Sequence, residues 1–254
     1  MQNNKKFNFF LDSFQILQNS YVSIAGSGGK STLMKKIALE SSALGWPTIL
    51  TSTTHIHIPF LRQGEPLLFR EKNLEDISAF LEQNLLVLVS RKVSDIKAKG
   101  LDPQVLDSLK GRFLVLVEAD GSKKKPFKIP ASWEPVVPCH STHAIVVFGL
   151  DALEKPLTEE WVHRGELLEC DAAESYITPA LVARTLAKPS HYLNKFPPGI
   201  YVYIYLAGCV DAKKYNGALE IARSLKKIDF QHPVFTGNLE KESWIEKISS
   251  KIDL

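Results

Sequence analysis

Apolar residues gather in short runs along this chain, at residues 21–25, 48–52, 85–90, 113–117, 144–148, 200–206 and, more weakly, 233–235. Several of these runs are almost continuous instead of alternating with polar positions. A strand buried on both faces has that composition, and such strands belong to a parallel sheet covered by helices. Between the runs, apolar residues recur at helical spacing over 31–44, 73–83, 179–187, 212–227 and 240–251, and Ser, Thr, Asp or Asn opens several of these segments. The alternation predicts an α/β fold, a three-layer α/β/α sandwich around a mostly parallel sheet.

Ahead of the first strand, residues 7–18 read as a short amphipathic helix. Asn8, Asp12, Ser13 and Gln15 interrupt its apolar positions and no small-residue cleavage site follows, so it is not a signal peptide. The 254 residues suffice for a sizeable core, and the chain 1–254 is read as one domain. Its least regular part, about residues 121–175, holds Pro126, Pro130, Pro135 and Pro138 and follows predicted strands. Ligands of open parallel sheets sit at strand ends, which makes this stretch a candidate substrate region.

The strand at 21–25 runs into Gly26-Ser27-Gly28-Gly29-Lys30-Ser31-Thr32 and then into a helical pattern. Glycines there let consecutive backbone N–H groups turn onto phosphate oxygens, and the helix adds its positive end. Lys30 is suited to the terminal phosphates, and the hydroxyl of Ser31 or Thr32 to the shell of a phosphate-bound Mg²⁺. The expected ligand is a nucleoside triphosphate with Mg²⁺, ATP or GTP, with the base open. The pattern is G-x-x-G-K-S-T; the place of the first glycine in the longer G-x-x-x-x-G-K-[ST] motif is taken by Ile24.

A second buried run, 113–117, ends in Glu118-Ala119-Asp120-Gly121-Ser122. Carboxylates at a strand end opposite a phosphate loop can hold the metal and position or deprotonate a water or acceptor. Asp120 is assigned to Mg²⁺ together with Ser31, and Glu118 to general base or metal support, with the division between them open. Thr53 and Thr54, after the second strand, are candidates for γ-phosphate or metal contact, although hydroxyls there equally satisfy a turn. Of the lysines after Asp120, Lys128 is the candidate for an anionic substrate; Lys123, Lys124 and Lys125 read as a solvated loop.

Composition narrows the classes. Formal charge is +3, from 31 basic and 28 acidic side chains, too balanced to advertise a nucleic-acid surface. No apolar run approaches the length of a membrane span, and Cys139, Cys170 and Cys209 are few and scattered, as in a reducing compartment. A soluble cytoplasmic protein is expected. His55-x-His57, Cys139-His140-x-x-His143 and His163 with Cys170 match no closed zinc spacing.

Further segments fall into one pattern with the loop: Thr53-Thr54-His55-Ile56, the Glu118 to Ser122 turn, Lys128 to Pro130, Glu134 to Pro138, Gly149 to Leu153, Pro156-Leu157, Val162-His163-Arg164 and Ile177-Thr178-Pro179. In this order the chain resembles the YqeC family, accessory proteins for selenium-dependent molybdenum hydroxylases. The resemblance implies a P-loop NTPase-like fold, a nucleotide-dependent role in maturing a molybdenum enzyme, and that enzyme or its cofactor-maturation proteins as partners. It also draws His163 and Arg164 into the substrate loop. An Asn-Lys-x-Asp-like element of relatives is here Gly208-Cys209-Val210-Asp211, so guanine specificity is not implied and Asp211 suits a helix cap. Two other functions stand beside the NTPase: a small-molecule ligase or kinase, since the loop also resembles that of Mur-type amide ligases, and a non-catalytic carrier of a nucleotide-bearing molybdopterin.

Overall fold

The computed structural model describes residues 9–57, 68–70, 85–89, 91–94, 97–107, 110–169, 174–240 and 243–251. In chain order its strands are β1 (Tyr21–Gly26), β2 (Thr48–Ser52), β3 (His55–His57), β4 (Leu68–Arg70), β5 (Leu85–Val89), β6 (Arg91–Ser94) and β7 (Lys97–Lys99). They continue with β8 (Leu114–Glu118), β9 (Phe127–Lys128), β10 (His143–Gly149), β11 (Val162–His163), β12 (Tyr201–Ala207), β13 (Val234–Asn238) and β14 (Trp244–Lys247). The helices are α1 (Phe9–Ser13), α2 (Lys30–Ala43), α3 (Pro103–Asp107), α4 (Pro179–Ala187) and α5 (Ala212–Lys227).

Among the described residues, nine strands form the central sheet in the order β14-β13-β12-β10-β1-β8-β2-β5-β4, parallel except for the β13–β14 pair. Every residue of β1 and β10 is buried, which accounts for their largely apolar sequences; the buried Ser23 of β1 is satisfied by Ser141 Oγ at 2.8 Å. In β12, Val202, Ile204 and Leu206 join a core with α4 and α5, while Tyr203, Tyr205 and Ala207 join another with α1 and α2. Successive residues of a strand point to opposite faces, so helices cover both sides of the sheet, an α/β arrangement compatible with a three-layer sandwich. The helical stripe Leu33, Met34, Ile37 and Ala38 buries α2.

Two smaller sheets flank the carboxyl ends of the central strands. Gly100 N donates to Thr54 O (2.7 Å) and Leu101 N to Ser52 O (2.9 Å), which docks the β3-β7-β6 sheet beside the end of β2. β9 and β11 pair in parallel, with Lys128 opposite His163, and Gly149 N donates to Pro126 O (3.1 Å) at the end of β10.

Two expectations require correction. Residues 240–251 hold the strand β14 in place of a helix. Trp244, Ile245 and Ile248 fit helical spacing, but Trp244 packs into one core and Ile245 into the other, the period-two alternation of a strand. The N-terminal helix stops at Ser13 and does not reach residue 18, because Gln15 adopts a left-handed φ of 55° and Ile16 N donates back to Leu11 O (2.9 Å), a helix-ending turn. The helical pattern at 73–83 lies outside the described residues. Among the described residues, no helix is long and apolar enough to cross a membrane.

Candidate functional site

β1 is central, and the strand order runs away from it in both directions, through β8 and β2 on one side and β10 and β12 on the other. At such a switch point the carboxyl ends of the strands open a crevice. The Gly26–Thr32 segment enters it, and the backbone leaves no room for side chains at two positions. Gly26 has φ +93° and a Cβ there would lie 2.2 Å from Val147 O; Gly28 has φ +75° and its Cβ would lie 2.4 Å from Gly149 Cα. Glycine is required at both. Ser27 is fastened down, N donating to Val147 O (2.8 Å) and Oγ to Pro126 O (3.0 Å). At the start of α2 the Leu33 amide bonds back to Gly29 O (2.8 Å), and the amides before it have no intrahelical acceptor and no side-chain cap.

A chain of alternating charges lies beneath the loop. Lys30 Nζ donates to Gly26 O (2.7 Å) and sits 2.8 Å from Asp120 Oδ1 and 3.7 Å from Glu118 Oε1. Asp120, wholly buried, also accepts from Gly26 N (3.0 Å) and from Lys128 Nζ (2.9 Å). Lys128 in turn lies 2.8 Å from Glu134 Oε2 and donates to Gly121 O (2.6 Å), and Glu134 pairs with Arg164, whose guanidinium lies 5.5 Å from the Trp133 ring centroid. Burial alone would lower the Lys30 pKa and raise that of Asp120. The opposed charges outweigh it, Asp120 and Glu118 holding the ammonium above its ordinary value and Lys30 and Lys128 holding Asp120 below its own.

Glu118 differs from Asp120. It closes β8, accepts from Ser31 Oγ (2.8 Å), and burial pushes its pKa up against the partial relief from Lys30 and Ser31. Its carboxylate opens on a cavity of about 1050 Å³ that Gly28, Gly29, Lys30, Ser31 and Thr32 also line. Thr53, Thr54, His163 and Arg164 line the same cavity, so the structure brings these candidates to the loop. Thr53 Oγ1 donates to Val136 O (2.8 Å), and Thr54 Oγ1 lies 3.2 Å from Ser52 Oγ, so both also carry the turn-stabilising bonds that hydroxyls offer there. Lys128 faces the buried carboxylates. His163 is buried, and burial with Arg164, Lys128 and Lys123 nearby lowers its pKa to about 4.

Sequence reasoning passed over Glu134 as a site residue, although a lone acid within the proline-rich 130–138 segment was the available signal. Lys99, Lys123 and Lys124 line the cavity as well. Asp211 caps α5 by accepting from Lys214 N (2.8 Å). Away from the crevice, Cys139 Sγ lies 3.1 Å from Asp107 Oδ2, whereas His143 is directed to Thr142 and Gln15. Cys170 lies outside the described residues.

The model of the YqeC protein family matches residues 22–166, more than half of the chain and the whole of the loop, both carboxylates and Arg164. The chain belongs to the YqeC family. It is also 31% identical over 147 residues to a protein of Escherichia coli (strain K12) described as "Uncharacterized protein YqeC", a match covering 56% of this chain and 57% of that relative. This chain thus spans little more than half the length of that YqeC relative.

Proposed function

We propose that the chain binds a nucleoside triphosphate with Mg²⁺ at residues 26–32, in the manner of a P-loop protein, and hydrolyses it. The observation that carries this reading is the Ser31–Glu118 pair at 2.8 Å, set at the mouth of a glycine loop whose helix amides are uncapped. Backbone amides of the loop and α2 would receive phosphate oxygens, and Lys30, positioned by Asp120, would neutralise their charge. A hydroxyl beside a carboxylate is a hard-oxygen donor set that fits Mg²⁺. We therefore assign the metal to Ser31 and Glu118 and not to Asp120, because Lys30 and Lys128 already occupy the Asp120 oxygens. When bound, Mg²⁺ would offset charge on the terminal phosphates.

Hydrolysis is proposed to serve the maturation of a molybdenum hydroxylase. That context rests on the resemblance of the segments from residue 26 to residue 179 to the family's pattern.

Calorimetry with ATP and GTP, with and without Mg²⁺, tests the site, with phosphate release measured on the same samples. Triphosphate binding that needs Mg²⁺ and is lost in Lys30→Ala supports the reading, and Ser31→Ala should keep the fold while weakening the Mg²⁺ dependence. Absence of triphosphate binding under all conditions would sink it. Binding without turnover would leave a carrier.

A further inference from the structure

We propose that the cavity holds a second, phosphate-bearing small-molecule substrate beside the nucleotide, on the wall formed by Lys123, Lys124 and Arg164. The proposal deepens the nucleotide reading and rests on it for the loop half of the cavity only. Size is the first argument. A pocket for one drug-sized ligand is on the order of 300–1,000 Å³, and this cavity, at about 1050 Å³, is at or above that range with the loop lining one part of it.

Charge is the second. Away from the loop the described lining carries Lys99, Lys123, Lys124 and Arg164 against one carboxylate, that of Glu134, which Lys128 already shares. A cationic surplus facing a cavity selects an anion, and a guanidinium with donors to spare beyond Glu134 suits the fork geometry of phosphate.

Backbone conformation is the third. Lys123 (φ 50°), Lys124 (φ 63°) and Arg164 (φ 61°) are all left-handed non-glycine residues on this one wall. Such conformations are disfavoured for residues that carry a Cβ. Three of the six left-handed non-glycine residues among those described lie on this wall, and strained backbone tends to cluster at ligand sites. His163, which lines the same cavity, offers an imidazole able to accept a hydrogen bond from a substrate hydroxyl without adding charge.

The test loads the protein with Mg²⁺ and a non-hydrolysable ATP analogue and titrates inorganic phosphate, with citrate in a parallel arm. One equivalent of phosphate should bind to the loaded protein. Its affinity should fall about tenfold or more in Arg164→Ala and in the double variant Lys123→Ala, Lys124→Ala, while nucleotide affinity is unchanged. Tighter binding of citrate would replace the phosphate ester by a carboxylate substrate and overturn the assignment. No phosphate uptake, or loss of nucleotide affinity in these variants, would show that the cations serve the nucleotide itself. If no nucleotide binds, the loop reading has failed separately. Phosphate binding to the free protein that survives Lys30→Ala but not the double lysine variant would then still support the second site, and its absence would end it. The exposed lysines guard against misfolding as the cause, and circular dichroism checks Arg164→Ala.

Discussion

Asp120 is wholly buried, and an isolated carboxylate there would be costly to ionise; Lys30 and Lys128 approach it from two directions and make the charge tolerable. Removing one partner is worse than never having had the pair. Lys128→Met should therefore destabilise the protein by about 3–5 kcal/mol in urea unfolding, since it leaves both Asp120 and Glu134 short of a cation. A loss under 1 kcal/mol would mean that Lys30 and Arg164 alone neutralise the cluster. His163 gives a pH signature. Its folded pKa of about 4 lies below the ordinary 6.5, owing to burial first and to Arg164, Lys128 and Lys123 next, with Glu134 acting the opposite way. As pH falls below about 6.5 the unfolded chain takes up a proton that the folded chain refuses until about 4, so this contribution to stability is complete above 6.5 and is lost toward 4. Nuclear magnetic resonance should place the His163 midpoint near 4, and in His163→Gln the decline in Tm between neutral and acid pH should be shallower. The loop and the Glu118–Asp120 pair were legible in the sequence because glycine, lysine and strand-end acids stand at fixed spacing. Glu134 was not, because its partner Arg164 is 30 residues away and a single acid among prolines has no period to announce it.

At the scale of elements, legibility followed burial. The runs of β1, β2, β8, β10 and β12 are buried almost throughout and mostly apolar because helices cover both faces, with only small hydroxyls or end positions as exceptions, so each reads as a strand from composition. β9 and β11 are two residues each, too short for any periodicity, and are held by the end of β10 and the glycine loop, which clasp Pro126 between them. β14 is not legible in its own sequence, because only its neighbour reveals it. Gly237 lets Trp244 approach β13, and a Cβ at that position would lie 2.1 Å from Trp244 O. Gly237→Ala should therefore separate β14 from β13, costing about 1–3 kcal/mol as an overpacking change. Hydrogen exchange should show the loss first at residues 244–247. Uniform protection of the two strands in the variant would refute this account of the edge. Asp211→Ala should cost about 1 kcal/mol by removing the cap of α5, with no effect on nucleotide choice if Asp211 is a cap and nothing more.

Across the whole molecule, the first helix ties together parts that lie far apart in sequence. α1 packs against both α2 and β14, so it bridges the helix that follows the glycine loop and the antiparallel edge of the sheet. The Glu40 carboxylate of α2 accepts from Phe10 N and Leu11 N (both 2.9 Å), which gives the short helix the acceptors its own length cannot supply. Phe14, fully buried, then sets its ring edge-on to Tyr203 (5.4 Å), Tyr205 (6.0 Å) and Phe235 (5.3 Å). Phe14→Ala removes that ring from a site closed on all sides and should cost about 3–5 kcal/mol. Its consequence for function should nonetheless be small. Neither α1 nor the aromatic cluster lines the cavity, and the loop is held independently by Val147, Pro126 and Asp120. Well below its lowered Tm, the Phe14→Ala protein should bind nucleotide with the affinity of the unaltered chain, while protease should cleave within the first twenty residues far faster. A parallel loss of nucleotide affinity at a temperature where the variant is still folded would show that α1 sets the geometry of the glycine loop through α2, making the N-terminal brace part of the site and not only of the scaffold.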